Sequence, residues 1–254
     1  KNIVQGFLMY NEFAPTADTL FLLVLSILTL ESVHSIRFLY QHFLSGITTK
    51  SLNTFYHACS YAKVDSSHFM NITAKVALRM IPDSLATQPI FLCVDDTMVA
   101  KAGTRFENVS KLFDHAAHNG SNYLNGHCFV SIMLCIPVWK NDRVSYLSLP
   151  LGYRMWQKKE SKLELAASMI RQVMPEFQEK KQVIILCDSW YTKRNLVSIV
   201  DEYLNLDLIG NARIDSVMYA PAHTGRRGRP AKHGKRLSVE TDFAFSNEKI
   251  GDYY

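Results

Sequence analysis

Two short apolar runs, each followed directly by aspartate, constrain this chain of 254 residues more than any other feature. Residues 90–94 precede Asp95 and Asp96, and residues 183–187 precede Asp188. A short apolar run of this kind predicts a buried strand. Parallel neighbouring strands bring their carboxyl ends to one edge of a sheet, so we expect these aspartates to meet in a crevice there.

The remaining segments predict an α/β fold in the order strand, strand, strand, helix, strand, helix, strand. After the first strand, strands are expected at 126–138, 143–149, 183–187 and 206–212, and helices at 161–173 and 192–204. The turn-like residues 139–142 separate the two strands of a hairpin, and Ser161 with Glu164 has the pattern of a capping box. A hairpin followed by crossover connections predicts a mixed sheet flanked by helices. This order is that of RNase H-like folds.

The first third of the chain has a different pattern. Apolar residues recur at helical spacing, most clearly in residues 32–43. We therefore expect a helical N-terminal domain at residues 1–88, a candidate for DNA binding, and an RNase H-like catalytic core at residues 89–254. Because the chain lacks an initiator Met and stops at Tyr254 in mid-pattern, we interpret that core as C-terminally incomplete.

Composition narrows the class of protein further. The hydrophobic fraction of 48% is enough for a sizeable core. The five cysteines form no Cys-x2-Cys pair, which favours reduced thiols over disulfides or zinc. The longest apolar run, residues 20–30, is too short to span a bilayer. We expect a cytoplasmic protein with no membrane partner.

Positive charge is concentrated in one segment near the end of the chain. The net charge is +5, and residues 226–236 contain six basic residues and no acidic one, so the rest is close to neutral. The expected DNA-contacting residues are Arg226, Arg227, Gly228, Arg229, Pro230, Lys232, Lys235 and Arg236. Their Arg-Gly-Arg-Pro core resembles an AT-hook, which lies in a narrow minor groove. The alternative is a solvated charge run.

Two converging carboxylates repel each other unless a cation lies between them. Hard oxygen ligands suit Mg²⁺, or Mn²⁺ in its place, and two such ions can serve phosphodiester cleavage. The alternative is structural, because Asp after a strand also forms turns and caps helices. Since neighbouring residues of a strand face opposite ways, only one of Asp95 and Asp96 can face the crevice.

Four short motifs resemble the DDE transposases of bacterial insertion sequences, in the broad IS-four-like group. They are Val94-Asp95-Asp96-Thr97 with Lys101 and Gly103, Cys187-Asp188-Ser189-Trp190-Tyr191, residues 126–130 and residues 148–154. The motifs agree with that group in order and spacing, and the resemblance covers roughly residues 20–245.

The resemblance implies an RNase H-like core that cleaves a DNA strand at the element's end and joins the freed 3′-hydroxyl to target DNA. Asp188 and either Asp95 or Asp96 would hold two Mg²⁺ or Mn²⁺ ions. We favour Asp95, because the family often has Asp-x-Thr there. The implied partners are double-stranded DNA, as terminal inverted repeats and target, and a second copy in a homodimer.

The chain departs from the family at the third carboxylate, a Glu within a Tyr-x2-Arg-x3-Glu-x6-Lys signature. Arg236 and Glu240 fit its middle, but His233 and Asn247 replace the Tyr and the Lys. We therefore expect the true Glu beyond Tyr254. A catalytically incomplete DNA-binding relic and a structure-specific nuclease on the same fold are the alternative functions.

Overall fold

A computed structural model of the chain describes residues 14–61, 66–103, 105–113, 122–177, 181–211, 216–222, 232–238 and 241–242. Four helices come first, α1 (Ala14–Thr29), α2 (Ile36–Leu39), α3 (Leu52–Tyr61) and α4 (Ser66–Leu78). Helix α2 continues as a π-helical turn, Tyr40–Leu44, and a last α-helical turn, Ser45–Ile47. A 3-10 turn, Asp83–Leu85, leads into the sheet.

The first three helices share a small apolar cluster built around Leu23, Leu39, Leu44 and Phe55. Leu44 and Phe55 are completely buried, so the π-helical turn packs against α3. Ser35 begins α2 by accepting a hydrogen bond from Phe38 N at 3.1 Å. The described part of the region expected to be helical does form helices.

Six strands make the main sheet: β1 (Ile90–Ala100), β2 (Ser110–Phe113), β3 (Tyr123–Lys140), β4 (Arg143–Met155), β5 (Val183–Cys187) and β6 (Leu206–Gly210). Strand β3 pairs antiparallel with β1 on one side and with β2 and β4 on the other. Strand β5 pairs in parallel with both β1 and β6. The predicted mixed sheet is confirmed, although β2 was not among the expected strands.

Two helical segments connect the later strands. Helix α5 (Lys162–Val173) continues into a 3-10 turn, Met174–Glu176, and α6 (Arg194–Val197) into another, Ser198–Glu202. The capping box predicted at the start of α5 is present, with Ser161 and Glu164 each bonding the other's backbone N–H. A two-stranded sheet of β7 (Met218–Tyr219) and β8 (Arg236–Leu237) follows.

The expected hairpin between β3 and β4 is present, but its turn has two residues, because β3 includes Trp139 and Lys140 of the expected four-residue turn. Asn141 and Asp142 take φ values of 51° and 58°. Both values lie in the left-handed region, which Asn and Asp tolerate and which matches the twist of the flanking strands. The same ladder shifts register between Ile132 and Met133, which bends β4 over the core.

The main core lies between one face of the sheet and α5. Alternate residues of β1 (Ile90, Leu92 and Val94) are buried there against Ala166, Met169 and Ile170 of α5. Helix α4 joins the same core through Met70, Ala74 and Ala77. It packs so closely that a Cβ on Gly152 would lie 2.7 Å from Met70 Sδ. A separate all-helical domain ending at residue 88 is not confirmed and stays a prediction.

All five cysteines lie in described segments and are free. Cys93 and Cys135 lie on neighbouring strands with their Sγ atoms 3.7 Å apart, and Cys59 is exposed. Among the described residues, no helix combines the length and apolarity needed to cross a bilayer.

Candidate functional site

Asp95 and Asp188 follow the last paired residues of two parallel strands. Strands β1 and β5 pair up to Val94 and Cys187, so the two aspartates follow at the same level of the sheet. Strand β5 ends there, whereas β1 continues through Asp95 and Asp96 to Ala100, paired with β3. The expected strand end before Asp95 is therefore wrong, and the meeting of the two carboxylates stays a prediction.

The Asp95 side chain is exposed and points away from the α5 core, because Val94 before it is buried. Its Oδ1 accepts a hydrogen bond from Asp96 N at 2.8 Å. Its carbonyl oxygen accepts one from Ser131 Oγ at 3.1 Å, which fixes the strand at this point. No described Lys, Arg or His forms a salt bridge with Asp95.

The Asp188 carboxylate organises the turn that follows β5. Its Oδ1 accepts hydrogen bonds from Trp190 N at 3.0 Å and Tyr191 N at 3.2 Å. The turn-forming alternative is thus correct for one of its oxygens. Asp188 is nevertheless exposed, and within the described chain it has no cationic partner.

Asp96 occupies the opposite face of β1 and has three side-chain partners. Lys162 Nζ lies 2.7 Å from its Oδ2. Cys128 Sγ donates to the same oxygen at 3.3 Å, and the Tyr191 hydroxyl donates to Oδ1 at 3.2 Å. The side chains of Asp96 and Lys162 are each only 18% exposed, so this ion pair is largely shielded from water.

The charge of Asp96 governs the titration of its neighbours. Burial by itself lowers the pKa of Lys162, but the hydrogen bond to Asp96 and its charge outweigh burial, and the pKa is raised. Burial raises the pKa of the Cys128 thiol to about 11, with Lys162 opposing the shift. Burial and the Asp96 charge also raise the pKa of Tyr191. At neutral pH the Cys128 thiol and the Tyr191 phenol are therefore uncharged.

Tyr191 links the two aspartate-bearing segments. Its ring is completely buried, its hydroxyl bonds Asp96, and its N–H bonds Asp188. The middle of β1 and the turn after β5 are therefore held together through one side chain. The aromatic residues of the motif, Trp190 and Tyr191, could either cover the site or form part of the core. In the structure Tyr191 is core, while Trp190 is 36% exposed.

Sequence reasoning missed Lys162 and its contact with Asp96. A signal for it exists, because Lys162 begins α5, where the positive end of the helix dipole disfavours a cation. A lysine at that position indicates an acidic partner from elsewhere in the fold.

The structure leaves most of the basic loop outside the described residues, including Arg226, Arg227, Gly228, Arg229 and Pro230. Lys232 and Arg236 are described and exposed. Lys235 forms a salt bridge of 2.8 Å with Asp242, which offsets one of the loop's positive charges.

The third carboxylate is not located. Glu240 lies outside the described residues, and Arg236 and Leu237 before it form a strand, as expected for a chance match to the helical signature. No group of three or more His, Cys, Asp or Glu side chains suited to a metal occurs within the described segments.

Two exposed carboxylates follow the parallel pairing of neighbouring strands, and neither forms a salt bridge within the described residues. Such carboxylates are suited to enzymes that handle hard cations and phosphate oxygens. A family model for the DDE superfamily endonucleases matches residues 10–247, and the chain belongs to that family. Members of this superfamily use divalent metal ions.

Solved transposase structures show a partial likeness to this fold. A Drosophila P element transposase in a strand transfer complex has a TM-score of 0.37 at 11% identity, covering 91% of this chain and 48% of that chain. A Mos1 transposase paired-end complex has a TM-score of 0.26 at 12% identity, covering 76% and 58%. The chain thus spans about half the length of these proteins. No curated protein matches it in sequence.

Proposed function

We propose that this protein is a DNA transposase with an RNase H-like core, in which Asp95 and Asp188 bind divalent metal ions for strand cleavage and strand transfer. The observation that carries the proposal is the position of these two exposed carboxylates directly after the paired residues of β1 and β5. Membership of the DDE superfamily endonucleases supports the reaction class. The narrower likeness to the IS-four-like group stays a prediction from the motifs.

The residues present fit a hard divalent cation. Asp95 and Asp188 provide carboxylate oxygens, which Mg²⁺ and Mn²⁺ prefer, and no described cation neutralises them. Two like charges on adjacent strands favour a cation between them. When bound, a pair of such ions would activate the attacking water or hydroxyl and stabilise the leaving oxygen.

Asp96 does not suit the same role, because Lys162 neutralises it on the core side of β1. We assign Asp96, Lys162 and Tyr191 as positioning residues. They fix the direction of Asp95 through the backbone of β1, and Tyr191 also fixes the turn that presents Asp188. The metal-site choice of Asp95 over Asp96 rests on this difference.

The proposal requires a third carboxylate from outside the described residues, in keeping with the family signature. It also assigns the basic segment 226–236 to double-stranded DNA at the transposon ends and in the target. Lys232 and Arg236 are exposed in the described part of that segment, which supports a phosphate contact. A homodimer on paired ends follows from the family resemblance alone.

The first test is Asp188→Ala in the full-length protein, assayed for Mn²⁺-dependent cleavage and joining of DNA that carries the element's ends. Loss of both products with retained DNA binding is expected, because the substitution removes a proposed metal ligand. Asp207→Asn is the matched control, since this exposed aspartate lies on β6 away from the strand tips. Cleavage by Asp188→Ala at the rate of the control would overturn the proposed role.

The same assay separates a transposase from a structure-specific nuclease. A transposase yields products in which the cleaved end is joined to target DNA, whereas a nuclease yields cleavage alone. The third outcome is that the protein binds DNA and Mn²⁺ but yields neither cleavage nor joining products. That outcome would identify it as a catalytically incomplete relic.

A further inference from the structure

A cluster of tryptophan and lysine side chains lies on the α5 face of the sheet, opposite the face to which Asp95 points, and next to the turn that carries Asp188. Lys162 Nζ is 5.4 Å from the ring centroid of Trp156 and 5.1 Å from that of Trp190. Lys193 Nζ is 4.6 Å from the Trp190 ring, and Lys158 Nζ is 5.8 Å from the Trp156 ring. We call these five residues the Trp–Lys cluster.

Both tryptophans are held by their backbones and keep part of the ring accessible. Trp156 N donates to the Cys128 carbonyl at 2.8 Å, and its indole Nε1 donates to the Glu160 carbonyl at 2.7 Å. Trp190 N donates to Asp188, and its ring contacts the Tyr191 ring edge-to-face at 5.0 Å. Trp156 is half-buried and Trp190 is 36% exposed. The indole rings are thus fixed while still open to a ligand.

The lysines divide into one fixed and two exposed cations. Lys162 is committed to Asp96. Lys158 and Lys193 are exposed and form no salt bridge with an acid in the described segments. Glu160 lies nearby in sequence, but the surface keeps an excess of positive charge. The exposed lysines lie on flexible stems that can leave the rings and contact phosphates.

We propose that the Trp–Lys cluster binds an unpaired segment of the DNA strand that enters the proposed metal site. Fixed aromatic rings stack on any base whose face is free, and lysines neutralise the adjoining phosphates. A duplex hides its base faces, so the rings favour single-stranded DNA over a duplex. This inference rests on the proposed function for its position, because Trp190 follows Asp188 by two residues and Lys162 contacts the neighbour of Asp95.

The test measures binding of a fluorescein-labelled oligothymidylate and of a duplex of equal length, in EDTA so that no cleavage occurs. Trp190→Ala is expected to weaken single-strand binding by about tenfold and to leave duplex binding within about twofold. Trp190→Phe retains a stacking ring and is expected to keep most of the affinity. Equal losses for the single strand and the duplex would overturn the inference.

Trp139 provides the matched control for an exposed tryptophan. It is 50% exposed, lies at the far end of β3, and donates to Ser84 Oγ at 3.0 Å. Trp139→Ala is expected to leave single-strand binding unchanged. A variant with both Trp139 and Trp156 changed to Phe leaves Trp190 as the one indole, and oligothymidylate is expected to quench its fluorescence. Absence of quenching at saturating oligonucleotide would contradict stacking even if a Trp190→Ala protein does not fold.

Asp95→Asn separates this inference from the proposed function. It removes a proposed metal ligand on the other face of β1, so single-strand binding in EDTA is expected to stay intact while cleavage is lost. Cleavage by this variant at the wild-type rate would contradict the proposed metal site and leave the Trp–Lys cluster unaffected. A tenfold loss of its single-strand binding would contradict the independence of the Trp–Lys cluster.

Discussion

The two faces of β1 at Asp95 and Asp96 differ sharply, although the two residues are neighbours. Asp95 is exposed and has no cationic partner among the described residues, whereas Asp96 has Lys162, Tyr191 and Cys128 around it. The proposed function therefore assigns the carboxylate without a cationic partner to metal binding and the paired one to support of the strand. The two roles are distinguished by the surroundings of the carboxylates, because their chemistry is the same.

The largest expected effect comes from neutralising each of the two aspartates in turn. Asp95→Asn is expected to reduce Mn²⁺-dependent strand cleavage more than about 100-fold, because it removes a direct ligand, and Asp96→Asn by about tenfold or less. The measurement is the cleavage rate of the full-length protein, with the melting temperature as a folding control. A larger loss of cleavage for a folded Asp96→Asn than for Asp95→Asn would reverse the assignment.

An intermediate effect is expected from removing Lys162, the cation that pairs with Asp96. Lys162→Met leaves the largely buried Asp96 charge without its partner, which costs about 2 kcal/mol of unfolding free energy. For a chain of this size that lowers the melting temperature by roughly 4–8 °C. Arg171→Met is the control, because its salt bridge with Glu202 is more exposed, and a smaller loss is expected. Equal losses for the two variants would contradict the special environment of Lys162.

The pH dependence of the stability lost in Lys162→Met tests the ion pair between Lys162 and Asp96 more closely. The pKa of Lys162 is raised in the folded state, so its stabilising contribution is fully present below the ordinary lysine pKa of about 10.4. It is lost only as the pH rises through the higher folded-state value. The melting-temperature gap between wild type and Lys162→Met is therefore expected to stay constant from neutral pH to about pH 9.5. A gap that closes below that pH would contradict the raised pKa.

The sequence predicted the strands that carry the candidate carboxylates, but not the residues that support those strands. Asp188 and the Asp95–Asp96 pair follow apolar runs, and local patterns also predicted the hairpin and the capping box at Ser161. These features depend on residues close in sequence. The choice between Asp95 and Asp96 could not be read from the strand, because residues 90–94 are all apolar and show no alternation.

Long-range contacts were the main limit on the prediction. Lys162 reaches Asp96 across 66 positions of chain, and Tyr191 reaches it across 95, and neither pairing has a local pattern. Strand β2 was missed because its Ser-Lys-Leu-Phe sequence buries only Leu112 and gains order from pairing with β3. The Trp–Lys cluster likewise combines two separate segments, residues 156–162 and 190–193.

The smallest expected effect concerns the basic loop. Arg229→Ala is expected to lower the slope of log binding constant against log salt for duplex DNA by about 1, because one phosphate contact is lost. Lys235→Ala is expected to change the slope less, since Lys235 is already paired with Asp242. The measurement is a salt titration of duplex binding. An unchanged slope for Arg229→Ala would remove the loop from the DNA interface.

The most direct measurement of the central claim is a Mn²⁺ titration followed by electron paramagnetic resonance, which needs no DNA and no cleavage. Asp95→Asn and Asp188→Asn are each expected to weaken Mn²⁺ binding by about tenfold or more, and Asp96→Asn by less than about threefold. If Asp96→Asn loses the ion while Asp95→Asn retains it, the two faces of β1 have been assigned the wrong way round.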